Sequence, residues 1–157
     1  PGHQPPEKYD HLMFNISGKE SFSKMADGDR FDLGDDIIEV IHTPGHTPGS
    51  VCFYSLSRQA LFTGDTLYPG PEYLHLSESD FSEYQNSLKK LHYNYWGKLK
   101  TIYPGHNANM ANPRLLSDHL IAASGAMAPI STEKGSDAFG PYIHNKFPGF
   151  SLMLKEP

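Results

Sequence analysis

Three apolar, β-favouring runs in this chain each stop at a turn that carries one metal-capable side chain. Ile37 to His42 runs into Thr43-Pro44-Gly45-His46-Thr47-Pro48-Gly49-Ser50, Ala60 to Thr63 into Gly64-Asp65, and Lys100 to Tyr103 into Pro104-Gly105-His106. Proline fixes φ and glycine lets the backbone turn sharply, so Pro-Gly ahead of a histidine delivers its ring to a defined point at a strand end. No local zinc-finger spacing links His46, Asp65 and His106. A site made from them has to be assembled in three dimensions at one edge of a sheet.

The remaining pattern predicts what surrounds those turns. Leu12, Phe14 and Ile16 alternate as in a short edge strand, and Asp27-Gly28-Asp29 reads as a turn. Val51 to Leu56 is a strand, and Ser57-Arg58-Gln59 reverses it into Ala60 to Thr63. Residues 66–79 read as a loop around Pro69-Gly70-Pro71. From Asp80 the spacing becomes helical, with Phe81, Tyr84, Leu88, Leu91 and Tyr95 on one stripe, Asp80 and Glu83 placed as in a capping box, and Gly97 as the stop. A second helix begins with Asn112 as cap and Pro113 in its first turn, and Leu115, Leu116, His119, Leu120 and Ala123 form its apolar face. Residues 131–138 read as a loop and Phe150 to Leu154 as the last strand. The expected class is α+β, one mixed sheet with helices on one face.

A length of 157 residues fits a single domain. The net charge of -5, with no cationic block, argues against a nucleic-acid partner or an anionic membrane surface. No apolar run approaches the roughly 20 residues of a membrane span, and no signal-peptide pattern is present. The single cysteine, Cys52, excludes an internal disulfide and reads as a small buried hydrophobe. The expected location is cytoplasmic. Because the chain opens on Pro1 rather than Met, it reads as a fragment or a processed chain.

Taken together, T-P-G-H-T-P-G at residues 43–49, F-T-G-D at 62–65 and P-G-H at 104–106 resemble the second half of the metallo-β-lactamase superfamily. These are the αββα metallohydrolases that include glyoxalase II and other thioesterases. The resemblance covers about residues 27–125 and implies half of the αββα sandwich over residues 1–157. It implies that His46 and His106 each anchor a metal, that Asp65 bridges two, and that the cofactor is zinc, one or two ions, or another first-row divalent metal. The implied reaction is attack of a metal-bound hydroxide on a carbonyl, with a small-molecule ester or thioester as substrate and the thioester favoured.

The chain departs from the family in one respect. The H-x-H-x-D-H motif that supplies the family's other ligands occurs nowhere in these residues, and Asp10-His11 and Asp118-His119 stand without the upstream histidines. The alternative is therefore a catalytically incomplete half-domain, associating as a homodimer or with a first half through a bared sheet face to which Ile38, Val40, Val51, Phe53 and Leu61 contribute. No acid or base can be assigned as catalytic. Tyr68 and His144 are the substrate-contact candidates, and Tyr73, His75 and Tyr142 lie where they could join them. Tyr68 is placed to line the pocket or polarise a carbonyl, with a packed loop aromatic as the simpler reading. His42 reads as a core histidine or one that supports a ligand.

Overall fold

Antiparallel pairing of β-branched and aromatic runs builds the first sheet. The computed structural model describes residues 25–156, so the predicted strand at Leu12, Phe14 and Ile16 lies outside the described residues. Strands β1 (Arg30–Asp32), β2 (Ile37–His42), β3 (Val51–Ser55) and β4 (Ala60–Gly64) follow one another as an antiparallel meander. The β3–β4 reversal places Gln59 at φ 54, the left-handed conformation a tight turn requires.

The chain then leaves this sheet. Strand β5 (Gly70–Leu74) and helix α1 (Phe81–Tyr95) form a crossover, and β6 (Thr101–Pro104) returns to pair with β4 in parallel. A parallel neighbour cannot be reached by a hairpin, which is why a helix-bearing excursion separates the two strands. The first sheet is thus β1-β2-β3-β4-β6. After helix α2 (Arg114–Ala123), strands β7 (Ser131–Asp137), β8 (Gly140–Phe147) and β9 (Phe150–Lys155) add to β5 in the order β5-β9-β8-β7.

The class is α+β, as the sequence indicated, but there are two mixed sheets where one was expected. The difference comes from two stretches read as loops. Residues 66–79 contain β5, whose backbone pairs in parallel with β9 despite Pro71. Residues 131–138 contain β7, a polar strand at the sheet's edge whose sequence Ser-Thr-Glu-Lys-Gly-Ser-Asp has no apolar alternation to reveal it. Backbone pairing to β8 and cross-strand contacts such as Lys146 Nζ to Glu133 Oε1 at 2.7 Å hold β7 in place.

Both helices form where their caps predict. Asp80 accepts a hydrogen bond from the Glu83 amide at 3.0 Å, and Asn112 Oδ1 accepts one from the Arg114 amide at 2.9 Å. Gly97 falls in a short 3-10 turn, Trp96–Lys98, that follows α1. One buried cluster joins both sheets and both helices: Ile41, Cys52, Tyr54, Leu61 and Ile102 from the first sheet, Tyr84, Leu88 and Leu91 from α1, Leu116 from α2, and Phe150 and Leu152 from β9. Leu61 therefore faces the helices. The register places Ile38, Phe53, Phe62 and Tyr103 on the opposite face, where Phe62 is exposed and stacks on Tyr103.

His119 belongs to this core and to no site. Its ring stacks on Phe150 at 3.9 Å, Nδ1 donates to the Leu115 carbonyl at 3.0 Å, and Nε2 has no hydrogen-bond partner among the described residues. Burial pushes its pKa down from 6.5 to about 4. Between these values the unfolded chain takes up a proton that the folded chain refuses, so stability falls as pH drops from 6.5 to 4. The loss amounts to roughly 3 kcal/mol at about 1.4 kcal/mol per pKa unit. Replacing His119→Leu is expected to flatten this part of the melting temperature against pH profile, which thermal denaturation at a series of pH values measures.

Candidate metal centre

Strand direction brings the three motifs together. β2 and β4 run the same way because β3 lies antiparallel between them, and β6 runs parallel to β4. The C-terminal ends of all three strands therefore lie at one edge of the sheet. His46 follows β2 by four residues, Asp65 follows β4 directly, and His106 follows β6 by two.

Two close backbone approaches fix the loops. Gly45 has φ 142, and a Cβ there would run into the backbone of Tyr84. The first motif thus sits against the backbone of α1, where the Gly45 carbonyl also accepts the Asp80 amide at 2.8 Å. Ser79 Oγ donates to the His46 carbonyl and Ser87 Oγ to the Pro44 carbonyl, both at 2.7 Å. The Gly105 amide donates to the Gly64 carbonyl at 3.0 Å, and a Cβ on Gly105 would lie 2.9 Å from that carbonyl. The second and third motifs are locked to each other by this contact.

The side chains converge on Asp65. His106 Nε2 lies 2.8 Å from Asp65 Oδ1, and His46 Nε2 lies 3.9 Å from Asp65 Oδ2. Each oxygen of the carboxylate faces one imidazole. Among the described residues no group of three or more His, Cys, Asp and Glu is close enough to hold an ion by itself. The donors nonetheless suit zinc in kind, since neutral imidazole and carboxylate are its ordinary nitrogen and oxygen ligands. A carboxylate that presents one oxygen to each of two histidines also suits a bridging role.

The two histidines live in different surroundings. The His106 side chain is 60% exposed and that of Asp65 47%, whereas that of His46 is 14% exposed and packs over Glu72, whose side chain is 0% exposed. Burial disfavours a charged His46, but the Glu72 and Asp65 carboxylates outweigh it and hold the His46 pKa above its ordinary value. Burial pushes the Glu72 carboxyl up to about 7, against the opposing pull of His46. Glu72 was not among the sequence candidates. Its stretch was read as a loop, and only a strand reading puts Glu72 and Leu74 inside and Tyr73 outside.

A cavity of about 530 Å³ opens over the three residues. Tyr68, Pro71, Tyr73, Leu76, Asn107 and Phe139 complete its lining. Tyr68 edges onto the His106 ring at 5.4 Å, and its hydroxyl donates to the Pro71 carbonyl at 2.6 Å. Phe139 comes from the β7–β8 hairpin and Asn107 holds the Pro69 carbonyl at 2.8 Å. Neither was singled out in the sequence, and only the tertiary fold brings them here.

Other candidates lie elsewhere. His144 is not in the cavity lining: it sits on β8, a strand to which the sequence pattern assigned no element, with Nε2 2.8 Å from Ser151 Oγ. Tyr142 shares that strand and packs on the His75 ring. His75 is buried, with Nε2 against Asp137 Oδ2 at 3.0 Å. His42 is exposed rather than in the core, and its Nε2 lies 2.9 Å from the Pro48 carbonyl. Cys52 is fully buried, and burial pushes its thiol up to about 11, which leaves no thiolate nucleophile at neutral pH.

Comparison with known proteins places the chain among its relatives. The family model of the metallo-beta-lactamase superfamily matches residues 4–106. The chain is 31% identical over 123 residues to the acyl-coenzyme A thioesterase MBLAC2 of Homo sapiens, covering 76% of this chain and 44% of that protein. It is 32% identical over 126 residues to the hydroxyacylglutathione hydrolase of Rhizobium etli, covering 67% of this chain and 47% of that protein. The chain thus spans about half the length of the curated relatives it matches. Among solved structures, a metallo-beta-lactamase from Pontibacter korlensis superposes with a TM-score of 0.55 at 24% identity, over 64% of this chain and 47% of that one. The metallo-beta-lactamase family protein TTHA1429 from Thermus thermophilus superposes with a TM-score of 0.56 at 23% identity, over 68% and 36%.

The Gly45 contact generates a prediction. Replacing Gly45→Ala is expected to cost about 2 kcal/mol, because overpacking against rigid backbone has no side chain to displace. Differential scanning calorimetry should show a fall of several degrees in melting temperature, whereas Gly49→Ala, which has open space around its Cβ, should leave it nearly unchanged.

Proposed function

The chain belongs to the metallo-β-lactamase superfamily, and from that premise we propose that it is the zinc-binding portion of a hydrolase acting on an activated carbonyl, a thioester first. The observation that carries this reading is the placement of His46 and His106 on opposite oxygens of Asp65 at the floor of the cavity. His46, Asp65 and His106 hold the metal. When bound, zinc supplies a Lewis acid and a water acidic enough to ionise near pH 7.

The chain's own residues orient and enclose the substrate. Tyr73, Leu76 and Phe139 give the cavity an apolar wall that suits an acyl group, which would be bound there and shielded from water. The Tyr68 hydroxyl is committed to the Pro71 carbonyl, so Tyr68 shapes this wall and holds the loop after Asp65 rather than donating to substrate. The remaining ligands of the family's H-x-H-x-D-H motif are assigned to sequence outside these residues. That the chain's relatives are an acyl-coenzyme A thioesterase and a hydroxyacylglutathione hydrolase supports hydrolysis over the inert half-domain.

The same reading extends to association. The outward face of the first sheet carries Phe53, Phe62 and Tyr103, which gives pairing an apolar surface. Light scattering at micromolar concentration is expected to give a mass above that of one chain, and a monodisperse monomer would contradict it.

Zinc content and thioester hydrolysis, measured with and without a chelator, test the function. Bound zinc and chelator-sensitive turnover are expected. Replacing Asp65→Ala or His106→Ala should weaken zinc binding by at least about tenfold, the lower bound seen even for residues that only support a ligand. Turnover that ignores both the chelator and these substitutions would refute the proposal.

A further inference from the structure

A carboxylate lies where the fold asks for an apolar side chain. Glu72 sits in the middle of β5, opposite Leu152 of β9, and Leu74, the next residue on its face, is a core residue. The Glu72 side chain has no exposure, and neither of its oxygens has a hydrogen-bond partner among the described residues. Burying an unsatisfied carboxylate is costly, and an aliphatic side chain at this position would carry no such cost. The fold gains nothing visible from Glu72.

Two polar groups that feel this carboxylate are also without a hydrogen-bond partner among the described residues, the Tyr84 hydroxyl and His46 Nδ1, and His46 lies against it. His46 Nδ1 is buried, makes no hydrogen bond, and lies 3.4 Å from Glu72 Oε1. The other ring nitrogen, Nε2, points to Asp65 Oδ2. The imidazole therefore spans the boundary between the buried carboxylate and the open cavity, one nitrogen on each side. To bind a metal through Nε2, the ring must be neutral with its single proton on Nδ1, and a carboxylate at Nδ1 selects that tautomer.

We propose that Glu72 is the positioning residue for His46: it accepts the Nδ1 proton, fixes the ring with the Nε2 lone pair toward Asp65, and so sets the metal affinity of this edge of the sheet. This inference rests on the metal-binding reading of His46. His106 is set differently: its ring is largely open to solvent, packs edge-on against Tyr68 and lies beside Asp65. The two ligands of the centre are thus held by different means, one by a buried carboxylate and one by surface contacts.

The test compares wild type, Glu72→Gln and Glu72→Leu by three readouts. The first is the His46 tautomer in zinc-free protein, from long-range proton–nitrogen NMR. The second is zinc affinity against a competing chromophoric chelator. The third is the melting temperature in excess chelator. At a pH high enough to keep the ring neutral, wild type should show a single Nδ1–H tautomer. Glu72→Gln, which keeps an acceptor oxygen, should retain that tautomer with zinc affinity within a few-fold. Glu72→Leu should mix the tautomers and weaken zinc binding about ten- to a hundredfold, while its melting temperature in chelator stays level or rises. An unchanged tautomer in Glu72→Leu, or a lowered melting temperature or failure to fold, would overturn the proposal by making Glu72 a structural residue. Wild type that binds no zinc yet shows a Glu72-dependent tautomer would leave the positioning role standing and remove the metal-centre reading instead.

Discussion

The parallel pairing of β4 with β6 is the constraint on which the rest depends. Parallel neighbours end at the same edge, so Gly64-Asp65 and Pro104-Gly105-His106 emerge side by side although a strand and a helix separate them in sequence. The Gly105 amide closes the arrangement on the Gly64 carbonyl, at a distance only glycine permits. β2 adds its own C-terminal end to the same edge because two successive antiparallel steps restore direction. The site is therefore a property of topology before it is a property of any side chain.

Around that edge the environment is divided. One side is enclosed, with His46 against Glu72 and the loop tied to α1 by Gly45, Ser79 and Ser87. The other side is open, with Asp65 and His106 facing the cavity. A buried, pre-oriented donor beside accessible ones suits a centre that holds a cation firmly from beneath while leaving its outer face to substrate.

Much of this was legible in the sequence where a local signal exists. The three Pro-Gly or Gly turns after β-favouring runs, the Asp80 and Asn112 caps and the apolar stripe of α1 all depend on near neighbours and appear where expected. β5 and β7 were not legible. Their stability comes from pairing with β9 and β8, and neither Gly-Pro-Glu-Tyr-Leu nor Ser-Thr-Glu-Lys-Gly-Ser-Asp carries a period-2 apolar pattern. The same gap hid half of the site. Glu72 and Phe139 reach the centre only because the second sheet forms, and His144 is carried away from it by the same sheet. His42 ends β2 with its ring outside, against the Pro48 carbonyl, rather than in the core.

The account's central claim is that three strand ends converge to make one metal-binding edge. Anomalous diffraction from crystals grown with stoichiometric zinc, recorded at the zinc absorption edge, tests it most directly. The account predicts a zinc peak about 2.0–2.2 Å from an Asp65 oxygen and from Nε2 of His46 or His106. A peak at other residues, or none at full zinc occupancy in solution, would contradict it.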